Sequence, residues 1–277
     1  MTSPRSACRL LLFSLLMSCV AHAQEPHPSG EADPDAGDSI QIIDDDHVFT
    51  GTAGHALQYR LDPPRDFVDT GLYPLVLCLH GAGGSTQAGR VLSQRQPEPC
   101  FVLVPSVRPR AFSWAGRRIQ ALPTVLELID VLVERLPIDE DRIYVTGQSM
   151  GGQGTWGAIA ARPGFFAAAV PVCGGWDPED AERISGVPVW VFHGASDNVV
   201  PVRRSRDMVT ALRAAGGNPK YTEYPGVEHN SWTRTYQTEA LWSWLFEQRR
   251  GRPDDDARGR DMKHSTGPAS KVEDEPH

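Results

Sequence analysis

Apolar and polar positions along the chain fall into blocks of two different periods. Short apolar runs rich in Val, Leu and Ala occur at 73–79, 101–105, 142–146, 167–173 and 187–193. Runs of this length without polar alternation mark strands covered on both faces, as in a parallel sheet. Residues 57–61 alternate like a half-buried strand, and Lys220-Tyr221-Thr222-Glu223-Tyr224 reads as a weaker amphipathic strand near the sheet edge. Between these runs the spacing changes to three and four. Over 122–136, Leu122, Val125, Leu126, Ile129, Leu132, Val133 and Leu136 form one helical stripe, with Pro123 suited to a first turn and Pro137 as a stop. A further helix is expected from Gly152 to Arg162. Another opens at Pro201, carries Met208, Val209 and Leu212, and ends at Gly216, and the last has Leu241, Trp242, Leu245 and Phe246 on its apolar face. Strands alternating with helices at this spacing predict an α/β fold, a doubly wound and mostly parallel sheet with helices on both faces, in one domain over 42–249. No interval is long enough for a large lid or cap domain.

The two ends have another character. Arg5 and Arg9 precede an apolar run at 10–20, and Ala21-His22-Ala23 offers small residues at the cleavage subsites, so 1–23 reads as a secretory signal peptide. Leu16-Met17-Ser18-Cys19 offers the alternative of lipid attachment at Cys19. Residues 24–41, rich in Pro, Gly, Asp and Glu, and 250–277, charged and polar, lack apolar periodicity and are expected to be a disordered linker and tail. The expected location is secreted or periplasmic, or anchored at the envelope by lipid. No other apolar run is long enough for a transmembrane segment.

Composition narrows the partners. The formal net charge is −8, and loss of the leader's two arginines makes it more negative, which argues against a nucleic-acid partner. Beyond 1–23 the cysteines are Cys78, Cys100 and Cys173. An odd number in or beside apolar runs suggests buried thiols rather than a disulfide framework. Asp44-Asp45-Asp46 reads as a solvated run, and no zinc spacing, phosphate loop or dinucleotide fingerprint is present, so neither metal nor cofactor is expected.

The candidate chemistry lies at the strand ends. Gly147-Gln148-Ser149-Met150-Gly151 is a G-x-S-x-G between a predicted strand and a predicted helix, the context of a nucleophile elbow, with Ser149 as nucleophile. A serine hydroxyl needs a base. Only His193 and His229 follow Ser149 within the core. His229 lies in a loop after a strand, whereas His193 ends a strand four residues before the candidate acid and reads as a structural hydrogen bonder. The acid should follow a later strand. Asp197 fits, with Asp177 as the rival, and Asp207 falls in a helix. His80-Gly81-Ala82-Gly83-Gly84 follows the 73–79 run and is an oxyanion loop of H-G-x-G type, which assigns the hole to the N–H groups of Ala82 and Met150. Trp114, Trp176 and Trp232 lie in or beside loops at the same edge and are candidate pocket residues.

Arg142-Ile143-Tyr144-Val145-Thr146-Gly147-Gln148-Ser149-Met150-Gly151-Gly152 and Phe165-Phe166-Ala167-Ala168-Ala169-Val170-Pro171-Val172-Cys173-Gly174-Gly175 resemble bacterial hydrolases related to polyhydroxybutyrate depolymerases and feruloyl esterases. Phe192-His193-Gly194-Ala195-Ser196-Asp197-Asn198-Val199-Val200-Pro201 and Tyr224-Pro225-Gly226-Val227-Glu228-His229-Asn230-Ser231-Trp232 fit the same group, which also takes in dienelactone-hydrolase-like and prolyl-oligopeptidase-like proteins. The resemblance spans about 55–249. It implies an α/β-hydrolase fold and a serine carboxylic-ester hydrolase working through an acyl-enzyme without cofactor, in a group that spans carbohydrate esters, polyesters and peptides. The short polar interval 174–186 and the polar interval 85–99 leave no apolar lid, so a small-molecule or polymeric ester with short acyl, aryl or carbohydrate groups is expected. A serine peptidase and a non-catalytic binding protein are the alternatives. Two departures stand out. The segment between Gly84 and Cys100 is short for the group, and Ser149 stands where a true dienelactone hydrolase carries cysteine.

Overall fold

The structure, a computed structural model, describes residues 41–43, 46–68, 70–107, 112–115 and 119–251. The expected signal peptide with Cys19, most of the linker, Asp44, Asp45 and nearly all of the charged tail lie outside these residues.

Among the described residues, nine strands form one sheet in the order β1-β2-β3-β5-β4-β8-β9-β10-β11. They are β1 (Gln41–Ile43), β2 (Asp46–Thr50), β3 (Ala56–Asp62), β4 (Tyr73–Leu79), β5 (Phe101–Ser106), β8 (Ile138–Gln148), β9 (Ala168–Val172), β10 (Trp190–Gly194) and β11 (Lys220–Tyr224). From β5 to β11 every pairing is parallel, and β1, β2 and β3 add an antiparallel edge. Two-residue strands β6 (Phe112–Ser113) and β7 (Ile119–Gln120) pair separately. The helices are α1 (Gln87–Arg95), α2 (Leu122–Arg135), α3 (Met150–Ala161), α4 (Ala181–Ile184), α5 (Arg203–Ala214), α6 (Trp232–Thr235) and α7 (Glu239–Glu247).

The sheet separates two cores, and alternation along β4 shows how. Leu75, Leu77 and Leu79 face a core shared with α2, α3 and α5, through residues such as Val125, Trp156 and Met208. Val76 and Cys78 face the opposite core, closed by Leu92 of α1 and by Leu241, Trp242 and Leu245 of α7. All five of those β4 residues have no exposed surface, which explains the unbroken apolar run: each face of a central strand meets helices.

The winding direction reverses between β4 and β8. From β4 the chain crosses through α1 to β5 on one side. From β8 it crosses through α3 to β9 and then on to β10 and β11 on the other. A doubly wound sheet has its crevice at such a switch point, outside the carboxyl ends of the strands. The loops leaving β4 and β8 there carry His80-Gly81-Ala82 and Ser149.

Several elements differ from the expectations drawn from sequence. The strand expected at 142–146 is longer and begins at Ile138. The helix expected from Gly152 to Arg162 runs from Met150 to Ala161. Helix α1 lies between Gly84 and Cys100, where the sequence reading placed no element; it buries only Ala88, Gly89 and Leu92. The edge position of β11 and the turn at Gly216, which has φ +84°, agree with the sequence reading.

Candidate active site

The turn from β8 into α3 is unusually tight. A Cβ placed on Gly147 would fall against the Gly151 carbonyl, and one on Gly151 would fall against the Leu79 carbonyl of the neighbouring strand. Only glycine lets strand and helix backbones approach so closely. Between them Ser149 takes φ 56° and ψ −115°, a region that L-residues rarely enter, held in part by its N–H donating to the Val172 carbonyl at 2.9 Å. The strain lifts the half-buried Ser149 side chain out of the turn at the start of α3.

Two further loops meet it. His229, between β11 and α6, places Nε2 2.9 Å from Ser149 Oγ and Nδ1 2.7 Å from Asp197 Oδ2. The two loops are stitched together: Ala195 N–H donates to the Tyr224 carbonyl at 3.0 Å and Ser196 N–H to that of Val227 at 2.9 Å. Asp197 has no exposed side-chain surface, and its Oδ1 accepts from the N–H groups of Val199 and Val200, both at 2.9 Å. Burial by itself would raise the Asp197 pKa. The hydrogen bonds from His229, Val200 and Val199, with the field of His229, outweigh it and hold the carboxyl below its ordinary value. A carboxylate against Nδ1 puts the proton of a neutral His229 ring on that nitrogen and leaves Nε2 as the acceptor facing Ser149. The structure thus brings Ser149, His229 and Asp197 together. The rival Asp177 is exposed and accepts from the Glu179 N–H at the start of a short 3₁₀ turn, and Asp207 is exposed on α5.

The loop after β4 flanks the serine. A Cβ on Gly81 would stand 3.6 Å from that of Ser149. Val107 N–H donates to His80 Nε2 at 3.0 Å, so that nitrogen is an acceptor and the ring proton sits on Nδ1, which donates to the Gly81 carbonyl at 2.6 Å. In a trans peptide the C=O and N–H point opposite ways. Pinning the Gly81 carbonyl to His80 therefore fixes the Ala82 N–H in the opposite direction. Met150 is the first residue of α3, where amides have no partner within the helix.

The three tryptophans part company. Trp114 is buried with no exposed surface, which corrects the expectation that it lines a pocket. Its indole N–H donates to the His80 carbonyl at 2.8 Å and its ring meets His80 edge-on at 4.8 Å. It packs there because Gly154 of α3 has no side chain to exclude it. Trp114 is a prop under the loop that follows β4. Trp176 is half-buried against Gly157, donates to Asp180 at 2.7 Å, and lines a cleft of about 540 Å³ beside α2 and α3 with Leu126 and Ala160. Trp232 alone touches the site, edge-on to His229 with ring centroids 5.2 Å apart.

Cys78, Cys100 and Cys173 are free and buried, as the apolar runs implied. Burial pushes the Cys100 and Cys173 thiols up to about 12. Among the described residues, one group could offer metal ligands at close range: Cys173, Asp197 and His229, whose ligand atoms lie within 4.8 Å of one another. Two of these already bond each other, and the thiol stays protonated, so the group belongs to the hydrogen-bonded site. Sequence reading overlooked Gln148, whose Oε1 accepts from the first N–H of α1 at 3.0 Å and ties that helix to the elbow. Its place next to Ser149 was the only signal.

Residues 112–241 match the dienelactone hydrolase family. A thermostable esterase of known structure is 40% identical, with a TM-score of 0.69 over 74% of this chain and 63% of its own. Est1E from Butyrivibrio proteoclasticus is 17% identical, with a TM-score of 0.57 over 74% of this chain and 99% of its own, a likeness of fold. An uncharacterized secreted protein of Arthroderma benhamiae is 31% identical over a 202-residue alignment that covers 56% of this chain and 21% of that protein. The chain thus spans about a fifth of that curated relative and under two thirds of the esterase. Its described residues form an α/β-hydrolase fold, and residues 112–241 within it carry the match to the dienelactone hydrolase family.

Proposed function

We propose that the chain is a serine carboxylic-ester hydrolase acting through an acyl-enzyme. One observation carries this reading: the unbroken hydrogen-bond chain Ser149 Oγ–His229–Asp197, at 2.9 and 2.7 Å, beginning at a serine with φ 56°. In the proposed reaction His229 Nε2 takes the Ser149 proton as Oγ attacks the ester carbonyl. Asp197 stabilises the imidazolium and keeps its orientation. The N–H groups of Ala82 and Met150 receive the oxyanion, where donors aligned in advance contribute most because they need no reorganisation. His229 then passes its proton to the departing alcohol, and water repeats the sequence to free the acid.

Small acyl, aryl or carbohydrate-linked esters suit the loops. Between β9 and β10 lie only the 3₁₀ turn Pro178–Asp180 and the four-residue α4, and between β4 and β5 only polar α1. None of these offers an apolar lid. The 40% identical esterase and the name of the secreted fungal relative support esterase activity and an extracytoplasmic site of action. No helix among the described residues is long and apolar enough to cross a membrane. The test is labelling by a fluorophosphonate probe together with hydrolysis of p-nitrophenyl acetate. Both are expected in the wild type and absent in a folded Ser149→Ala variant. Near-normal turnover in that variant would end the assignment.

A further inference from the structure

Asp197 is held from a second side. His193, the fourth residue of β10, has no exposed side-chain surface, and its Nε2 lies 3.1 Å from Asp197 Oδ2 and 2.9 Å from the Val200 carbonyl. That Oδ2 is the oxygen bonded to His229 Nδ1. On the far side of the ring, Nδ1 lies 2.7 Å from Ser205 Oγ on α5, and Ser205 Oγ is 3.0 Å from the Gly174 carbonyl.

Counting protons fixes the state of this chain. Nε2 faces a carboxylate and a carbonyl, both acceptors only, so it carries a hydrogen. Burial is the largest influence on the ring and lowers its pKa despite bonds to Val200 and Asp197, so His193 is neutral at pH 7 and Nδ1 is bare. The Ser205 hydroxyl lies within hydrogen-bond reach of both Nδ1 and the Gly174 carbonyl and holds the far side of the ring in place. The other charged groups facing His193 are His229 and Glu223, which stands opposite it on β11 and is engaged by Arg206 at 2.9 Å.

We infer that His193 is a positioning residue for the catalytic acid: its Nε2–H, oriented by Ser205, holds Asp197 Oδ2 and shares the charge that supports His229. Val200 closes the arrangement, since its N–H goes to Oδ1 and its carbonyl accepts from His193. Four N–H groups therefore converge on one carboxylate. Three come from the acid's own strand and loop and one from the base. The carboxylate cannot turn without breaking at least two of them. By taking part of the Oδ2 electron density, His193 also tempers the attraction between Asp197 and a protonated His229.

The inference rests on the proposed roles of Ser149, His229 and Asp197, so the test includes Ser149→Ala as a separate control. Turnover in a folded Ser149→Ala protein would remove the triad reading. An inactive Ser149→Ala protein beside indifferent His193 variants would remove only this inference. The variants are His193→Leu, which deletes the donor, and His193→Gln, whose amide N–H reaches a similar place. Each is assayed on p-nitrophenyl acetate from pH 5 to 9, with thermal unfolding to confirm the fold. For His193→Leu, kcat is expected to fall by about 10- to 100-fold with KM within about twofold. The acid limb of kcat/KM is expected to move up by about 0.5 pH unit, because an unshared carboxylate binds the imidazolium more strongly. His193→Gln is expected to restore most of kcat and the original limb. A folded leucine variant with wild-type kcat and pH profile, or a glutamine variant as impaired as leucine, would overturn the inference. Should His193→Leu not fold, ¹⁵N spectra of histidine-labelled wild type decide. A neutral ring protonated at Nε2 supports the inference, and one protonated at Nδ1 refutes it.

Discussion

Replacing Asp197 by Asn tests the site at its most constrained point. The carboxylate offers two oxygens to four donors: Val199 and Val200 N–H at Oδ1, and His229 Nδ1 and His193 Nε2 at Oδ2. An amide has one oxygen, so it satisfies one pair and turns its NH₂ toward the other. The backbone amides cannot move their hydrogens, and His193 Nε2 keeps its own for the Val200 carbonyl. His229 can move its proton. The asparagine oxygen therefore stays on Val199 and Val200, the NH₂ points at His229, and the ring protonates at Nε2, the nitrogen that must accept from Ser149. A base in the wrong tautomer costs about 10⁴-fold in kcat, or about 5 kcal/mol of barrier, with the fold retained. Stability adds a second signature. The folded-state pKa of Asp197 is lowered, so its contribution is fully present above the unfolded value of about 3.9 and is lost as pH falls through the native value. The stability gap between wild type and Asp197→Asn should therefore narrow in acid. Steady-state hydrolysis and urea unfolding at pH 7 and below pH 4 measure both. A folded variant within tenfold of wild-type kcat would refute the proton argument.

Trp114→Ala should cost about 3–5 kcal/mol of stability in denaturant unfolding and lower kcat as well, since the indole donates to the His80 carbonyl in the loop proposed to hold the oxyanion; a loss of stability with unchanged kcat would separate the prop from the proposed hole. Cys78, Cys100 and Cys173 should resist a thiol reagent at pH 8 in the native protein and react once it is unfolded, because all three are buried with raised pKa values; rapid native labelling of any of them would contradict that burial. Acetyl or butyryl p-nitrophenyl esters should exceed a long-chain ester by about tenfold or more in kcat/KM, with no jump as the long ester aggregates; the reverse would reveal a lid or tunnel.

The central sheet was readable because its strands are covered on both faces, so tertiary burial and local composition say the same thing. The residues around Ser149 were readable for a related reason: glycine at 147 and 151 is a steric requirement of the elbow itself. Helix α1 was hidden because a helix on the rim, with two buried side chains larger than glycine, leaves no stripe to detect. Trp114 was misplaced because its burial is created by a residue forty positions away, Gly154, which leaves room for the indole. From sequence His193 reads as a structural hydrogen bonder four residues before Asp197. That both histidines bond one carboxylate oxygen depends on the fold of the loop after β10, which no periodicity reports.

The position of β11 bears on how copies of the protein coexist at high concentration. Among the described residues it is the last strand of the sheet, with no strand beyond it, the kind of border along which folded molecules can add to one another strand by strand. Here charge occupies that border. Lys220 holds its ammonium 4.8 Å over the Trp190 ring and 5.7 Å over that of Trp244, covering aromatic surface with a hydrated cation. Further along, Glu223 and Arg206 fasten each other across the strand, with Glu223 held at a pKa of about 2 and so ionised in all but strong acid. A neighbouring chain seeking to extend the sheet would have to strip water from both charged groups before gaining a backbone bond. The strand that leads into the His229 loop thus also guards the open side of the sheet against sheet-to-sheet growth.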